Sequence, residues 1–286
     1  MNLQNPKKFK LLIDQAHEVA LNVLRPISRK YDKAEHAYPK ELDMLASVVD
    51  GMNAGSEGMN AGAAVNKRGD TDTSNKNGVN MSTALSIIEM CYGDTGLLLS
   101  MPRQGLGNSA IAAVANEEQL TRFEGTWAAM AITEPGCGSD SAAIRTTATK
   151  DGDDYILNGE KIFVTSGERA DSVVVWATLD KSLGRAAIKS FVVLKGTPGM
   201  KVERLEHKLG IKASDTAAIS FVDCRVPAAN LLGNADIDVA KGFAGVMETF
   251  DNTRPLVAAM AIGCSKASLE RIKEIFKDQL DTDYGT

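Results

Sequence analysis

Cysteine is scarce in this chain and scattered: Cys91, Cys137, Cys224 and Cys264 never approach a CxxC pair. That spacing argues against a cysteine zinc site and fits reduced thiols in a cytoplasmic setting. His17, His36 and His207 are equally isolated, and core or surface positions account for them without a metal. Long hydrophobic runs are missing too. The longest uncharged apolar stretch, Pro255 to Cys264, falls well short of the roughly 20 residues that a membrane span needs. Basic residues do not predominate, with 32 Lys and Arg against 37 Asp and Glu and a net charge of −5. They are spread rather than clustered, which argues against nucleic acid as a partner. The first residues, Met1-Asn-Leu-Gln-Asn-Pro-Lys-Lys, carry no apolar h-region, so no secretory signal is expected.

What the chain does have is periodicity. Leu12, Ala16, Val19, Ala20, Val23 and Ile27 recur at three- and four-residue spacing, predicting a helix over 6–30. Leu42, Leu45, Val48 and Val49 continue a second stripe from Pro39 to Gly51. Gly, Asn, Ser, Thr and Asp then dominate residues 51–81, where Gly-Met-Asn-Ala-Gly occurs twice. A stretch so poor in large apolar groups cannot offset its ordering entropy by burial, and a flexible insertion is expected there. Helical spacing returns at Ser82 and again over 103–115, and Asn116-Glu-Glu-Gln119 has the shape of a capping box. Residues 1–127 are therefore expected to form an N-terminal helical domain.

From Trp127 the period changes to two. Short segments rich in β-branched and aromatic residues cover 128–132, 145–149, 155–157, 161–164, 172–178, 190–194, 200–204 and 217–223. Asp151-Gly152 and Asn158-Gly159 read as tight turns between them. A small antiparallel barrel or sandwich over 128–234 is the expectation. Beyond Gly233 the pattern is helical again, as two helices, the second from about 265 to 279. Residues 235–286 thus read as part of a C-terminal helical bundle, giving an α+β chain of three domains.

One stretch carries more chemistry than the rest. Met130-Ala-Ile-Thr-Glu-Pro-Gly-Cys-Gly-Ser-Asp140 leaves a strand and enters a loop that Pro135, Gly136 and Gly138 turn tightly. Such a loop frees backbone N–H groups and sets the hydroxyls of Thr133 and Ser139 at its rim, a combination suited to phosphate or the edge of a polar heterocycle. Tyr155-Ile-Leu-Asn-Gly-Glu-Lys-Ile-Phe-Val-Thr-Ser-Gly167 follows, and later Asp251-Asn-Thr-Arg-Pro255. Taken alone, Phe163 reads as core, Thr165 as a turn cap, and Asp251 with Arg254 as an i,i+3 surface pair.

In this order the three segments resemble the acyl-CoA dehydrogenase family of flavoproteins. The resemblance implies FAD between the β domain and the C-terminal helices, α,β-dehydrogenation of an acyl-CoA thioester, and electron-transferring flavoprotein as acceptor. It also implies a homo- or hetero-oligomer. Residue by residue, it puts Met130, Ala131, Ile132 and Thr133 along the flavin, with Gly138 and Ser139 near its pyrophosphate and Ser139 also near the CoA chain. Phe163, Val164 and Thr165 form the flavin-covering segment, with the Thr165 hydroxyl at N5. Asp251 and Arg254 would meet the CoA portion.

The sequence departs from the family pattern in two places. Where some relatives keep a catalytic glutamate, one residue before the Arg, this chain has Thr253, and Glu248 reads as a solvated helix residue. Where a basic segment is expected to reach a neighbouring subunit's FAD, the chain reads Asp278-Gln-Leu-Asp-Thr-Asp-Tyr-Gly285, and acid repels a pyrophosphate. No catalytic residue is assigned, and the chain is expected not to turn over acyl-CoA alone. Alternatives are a non-catalytic subunit supporting an active homologue, or a flavoprotein oxidase on the same fold.

Overall fold

The structure, a computed structural model, describes residues 7–54, 79–103, 106–237 and 243–280. Four helices open it: α1 (Lys10–Val19), α2 (Arg25–Lys33), α3 (Glu41–Ala54) and α4 (Val79–Gly93), with a π turn at Ala20–Leu24 joining the first two. The expected insertion over 51–81 is helical at both edges, since α3 runs to Ala54 and α4 starts at Val79; residues 55–78 lie outside the described residues. Asp94 caps α5 (Thr95–Leu99) by accepting the Leu97 N–H at 2.8 Å. Then come α6 (Leu106–Val114) and α7 (Glu117–Arg122). The capping box on α7 is present, with Asn116 and Gln119 each taking the other's backbone N–H.

Seven strands follow: β1 (Ala128–Ala131), β2 (Thr147–Asp151), β3 (Asp154–Thr165), β4 (Ser172–Thr178), β5 (Ile188–Leu194), β6 (Met200–Leu205) and β7 (Thr216–Pro227). They form one sheet in the order β1-β4-β2-β3-β7-β6, with β5 also on β4. The sheet is mixed rather than purely antiparallel, because β1 and β2 both run parallel to β4. Its core holds Trp127, Tyr155, Leu157, Phe191, Ile219 and Phe221.

The tight turn expected at Asn158-Gly159 is absent. Asp151-Gly152 does close a hairpin between β2 and β3, but Asn158 and Gly159 lie inside a continuous twelve-residue β3 at a register shift against β7. Gly159 takes φ +153°, and a Cβ there would come within 2.4 Å of Thr146 Oγ1, so the bulge needs glycine.

The two helices expected at the C-terminal end are one, α8 (Ala244–Leu280), 37 residues long with Pro255 inside it. Proline forfeits the N–H bond to the Asp251 carbonyl. Burial carries the helix through, since Leu256, Ala259 and Met260 pack with the α4 residues Ile87, Ile88 and Cys91. At Gly263 a Cβ would sit 2.3 Å from the Ile88 carbonyl oxygen, so this close contact of α4 and α8 depends on glycine. The side chains of the acidic run from Asp278 lie outside the described residues. Among those described, no helix is long and apolar enough to cross a membrane.

Candidate flavin-binding face

β1 is buried along its whole length, and its side chains divide between two cores. Ala129 and Ala131 enter the sheet core, whereas Met130 and Ile132 enter a second cluster with Ile111, Trp176 and Val246. The partly buried Phe250 packs on that second cluster, so α8 begins over the same face as Met130 and Ile132.

Past Ala131 the chain leaves the sheet without coming loose. The Thr133 carbonyl accepts the Ile162 N–H at 2.9 Å, and Glu134 and Cys137 exchange backbone hydrogen bonds of 3.0 and 3.1 Å around Pro135-Gly136. The Glu134 carboxylate turns inward. It accepts the backbone N–H groups of Arg145 (2.6 Å) and Thr146 (2.9 Å), the Thr146 hydroxyl (2.6 Å) and the Lys161 ammonium (2.7 Å). Lys161 Nζ also donates to the Ile132 carbonyl at 3.0 Å. Burial pushes the Glu134 carboxyl up, but the Lys161 charge and the donated hydrogen bonds outweigh it and hold it below its ordinary value. Burial pulls Lys161 down, against the opposing pull of Glu134. This buried pair pins the loop from beneath.

The pair was not singled out from the sequence, yet it leaves a signal there. Tyr155 and Leu157 alternate inward on β3, and Lys161 falls on the same parity. A lysine on the inward parity of a strand needs a buried acid, and only the fold decides that Glu134, from the loop after β1, is that acid.

The parity breaks immediately afterwards, at a second register shift between Lys161 and Val164. Phe163 is expelled at the bulge: it is 59% exposed and takes a left-handed φ of +58°. Ser166 is left-handed too, at φ +60°. Non-glycine residues in that region cost of order 1–3 kcal/mol each and cluster at functional sites. The core position that alternation alone gives Phe163 is therefore replaced by an exposed aromatic ring. Val164 is fully buried, and half-buried Thr165 pairs with Thr216 of β7.

The Thr133–Ile162 bond brings the loop rim and the Phe163–Thr165 segment side by side. Gly138 and Ser139 are exposed, and the nearest atom to a Cβ built on Gly138 is Thr133 Cγ2 at 4.0 Å, leaving open space above the loop. Among the described residues no hydrogen bond occupies the hydroxyls of Thr133, Ser139 or Thr165. An exposed aromatic ring, unoccupied hydroxyls and an open glycine turn fit a planar ring system with a phosphate tail.

Asp251 and Arg254 stand apart from this rim. They form an exposed i,i+3 pair at 3.4 Å, with the guanidinium 5.2 Å from the Phe250 ring centroid. Thr253 is buried, its hydroxyl donating to the Thr249 carbonyl at 3.0 Å, and Glu248 is exposed.

Known proteins share this fold. A family model described as acyl-CoA dehydrogenase, middle domain, matches residues 129–224. The short-chain specific acyl-CoA dehydrogenase of Clostridium acetobutylicum is 31% identical over 98% of this chain and 71% of its own length. The butyryl-CoA dehydrogenase structure from Megasphaera elsdenii superposes with a TM-score of 0.80 at 29% identity, covering 100% of this chain and 72% of that one. A chain in a structure described as electron transferring flavoprotein of Acidaminococcus fermentans gives a TM-score of 0.81 at 31% identity, with the same coverage.

Proposed function

This chain belongs to the acyl-CoA dehydrogenase family of oxidoreductases, and on that footing we propose that it binds FAD on the face bearing Thr133 and Phe163 and serves α,β-dehydrogenation of an acyl-CoA thioester. The observation that carries the reading is Phe163, an aromatic ring held out of the core at a left-handed φ beside a loop that a buried ion pair fixes.

When bound, the flavin supplies a two-electron acceptor. The chain's own residues supply position and environment. Met130, Ala131 and Ile132 provide a rigid apolar floor. Thr133 and Thr165 offer hydroxyls to the polar edge of the ring, and Phe163 shields an edge from water. Val164, fully buried, anchors the segment that presents them. Gly138 and Ser139 offer an open turn and a hydroxyl to the pyrophosphate. Asp251 and Arg254, at the start of α8, would face the CoA portion, where the guanidinium offers a fork of donors once it leaves its weak pair with Asp251. In this reading an electron-transferring flavoprotein is the acceptor and the chain works within a homo- or hetero-oligomer; the likeness to a chain in the Acidaminococcus structure supports the acceptor.

A second reading rests on Thr253. With its hydroxyl bonded to the helix backbone and no carboxylate there, the chain has the make-up of a subunit that supports an active homologue. Flavin content and reduction separate the two. Purified protein that holds FAD, and whose flavin is bleached anaerobically by an acyl-CoA thioester, supports the enzyme. Protein without flavin, and taking up none on titration with FAD, overturns the proposal.

A further inference from the structure

Glu35 and His36 lie between α2 and α3, and His207 follows β6, so the helical and β domains each contribute to one cluster. Across 172 residues of chain, His207 Nδ1 and Glu35 Oε2 are 3.0 Å apart, and the His36 and His207 ring centroids are 5.2 Å apart. One carboxylate oxygen and one nitrogen from each imidazole all lie within 4.8 Å of one another. His36 supplies an independent observation. Both of its ring nitrogens are buried without a hydrogen-bond partner among the described residues, and its backbone is left-handed at φ +68°. Buried unsatisfied polar atoms are rare in folded proteins and call for an explanation such as an ion.

We propose that Glu35, His36 and His207 bind one zinc-like divalent transition ion that ties the helical domain to the β domain and leaves a fourth position for water. Two imidazole nitrogens and a carboxylate oxygen suit Zn²⁺ and its neighbours rather than Mg²⁺ or Ca²⁺, which prefer oxygen. Ligand bonds of about 2.0–2.2 Å place tetrahedral donors roughly 3.4 Å apart, so the widest separation must close by up to about 1.4 Å while the 3.0 Å Glu35–His207 contact opens slightly. His207, with its side chain 84% exposed, has the freedom to move. Lys208 N–H holds Glu35 Oε1 at 2.9 Å, which orients the carboxylate and leaves Oε2 for the ion. The ion gives His36 the partner it lacks.

Two lysines lie near the cluster. Lys208 points its ammonium away, to the Ser214 carbonyl and the Thr216 hydroxyl, whereas the charge of Lys212 is felt at Glu35. Lys212 therefore weakens binding without filling the site.

The experiment is calorimetric titration and thermal unfolding with ZnCl₂ and separately MgCl₂. A Cys264→Ser background removes the exposed thiol as a competing donor. We expect one Zn²⁺ per chain, a rise in Tm with Zn²⁺ and none with Mg²⁺. His207→Ala, at an exposed position, and His36→Asn, which tolerates the left-handed backbone, should each lower zinc affinity at least ~10-fold, since even outer-shell losses cost about 10–100-fold. No zinc-dependent rise in Tm, or affinities in both variants within about twofold of the background, would overturn the proposal.

Discussion

Lys161 Nζ lies 2.7 Å from Glu134 Oε1, with the lysine side chain wholly shut off from solvent and the glutamate 7% exposed. Glu134 belongs to the loop after β1 and Lys161 to β3, and their contact holds the Thr133 loop against β3. Removing one partner of a buried pair leaves the other charge uncompensated, which costs about 3–5 kcal/mol. Glu134→Gln and Lys161→Met should each destabilise by about that amount in urea unfolding. The double variant should fall short of the sum of the singles by about 1–3 kcal/mol. Strictly additive losses would mean that the pair contributes no coupling.

The same pair sets an acid sensitivity. The folded pKa of Glu134 is depressed, so its stabilisation is fully present above the unfolded value of about 4.3 and is lost as pH falls through the folded value. Thermal unfolding from pH 7 downward should show a steeper acid loss in the wild type than in the Glu134→Gln/Lys161→Met double variant. Glu35 and Glu41, both lowered to about 2, contribute equally to the two curves. Parallel curves would remove Glu134 from the acid response.

Thr165→Val keeps the shape of a half-buried strand residue but deletes the hydroxyl proposed to meet the flavin. Circular dichroism should be unchanged, while anaerobic flavin reduction by acyl-CoA slows. Loss of one hydrogen bond of about 1 kcal/mol in the transition state corresponds to roughly fivefold in rate. An unchanged rate in FAD-loaded protein takes Thr165 out of the site.

Arg254 is 59% exposed and pairs loosely with Asp251 at 3.4 Å, so its truncation should leave stability within about 0.5 kcal/mol. If the guanidinium contacts CoA, Arg254→Ala should weaken acyl-CoA binding by about 1.5–3 kcal/mol. Equal affinities in an equilibrium titration would restrict Arg254 to its surface pair.

Thr253→Glu introduces a carboxylate one residue before Arg254. Because Thr253 is buried, the variant should lose stability, and its Tm should be measured first. Where FAD and acyl-CoA both bind, flavin reduction should appear or increase. No gain under those conditions would mean that this face of α8 does not meet the substrate.

Much of the architecture was legible in the chain because it follows from local rules. The switch of period at Trp127 marks where helices give way to strands, and the Asn116–Gln119 box marks the start of α7 by its own hydrogen bonds. The Thr133 loop was legible as a turn because proline and glycine act within a few residues. Local rules failed where distant packing decided. Asn158-Gly159 carries the signal of a hairpin turn, yet β7 pairs across it and makes it a bulge. Residues beyond Gly233 read as two helices with a break before about 265, yet packing against α4 through Ala259 and Gly263 keeps α8 continuous across it. Alternation assigns Phe163 to the core, and only the register shift against β7 turns it outward. Glu134 with Lys161, and His36 with His207, are far apart in sequence, and no periodicity reports a contact between them. Sequence by itself determined the order of helical and strand regions, because hydrophobic spacing and turn chemistry act over a few residues. Which charges are buried together, and which ring faces solvent, was decided only when the sheet and helices packed, since those energies depend on neighbours that the fold alone supplies.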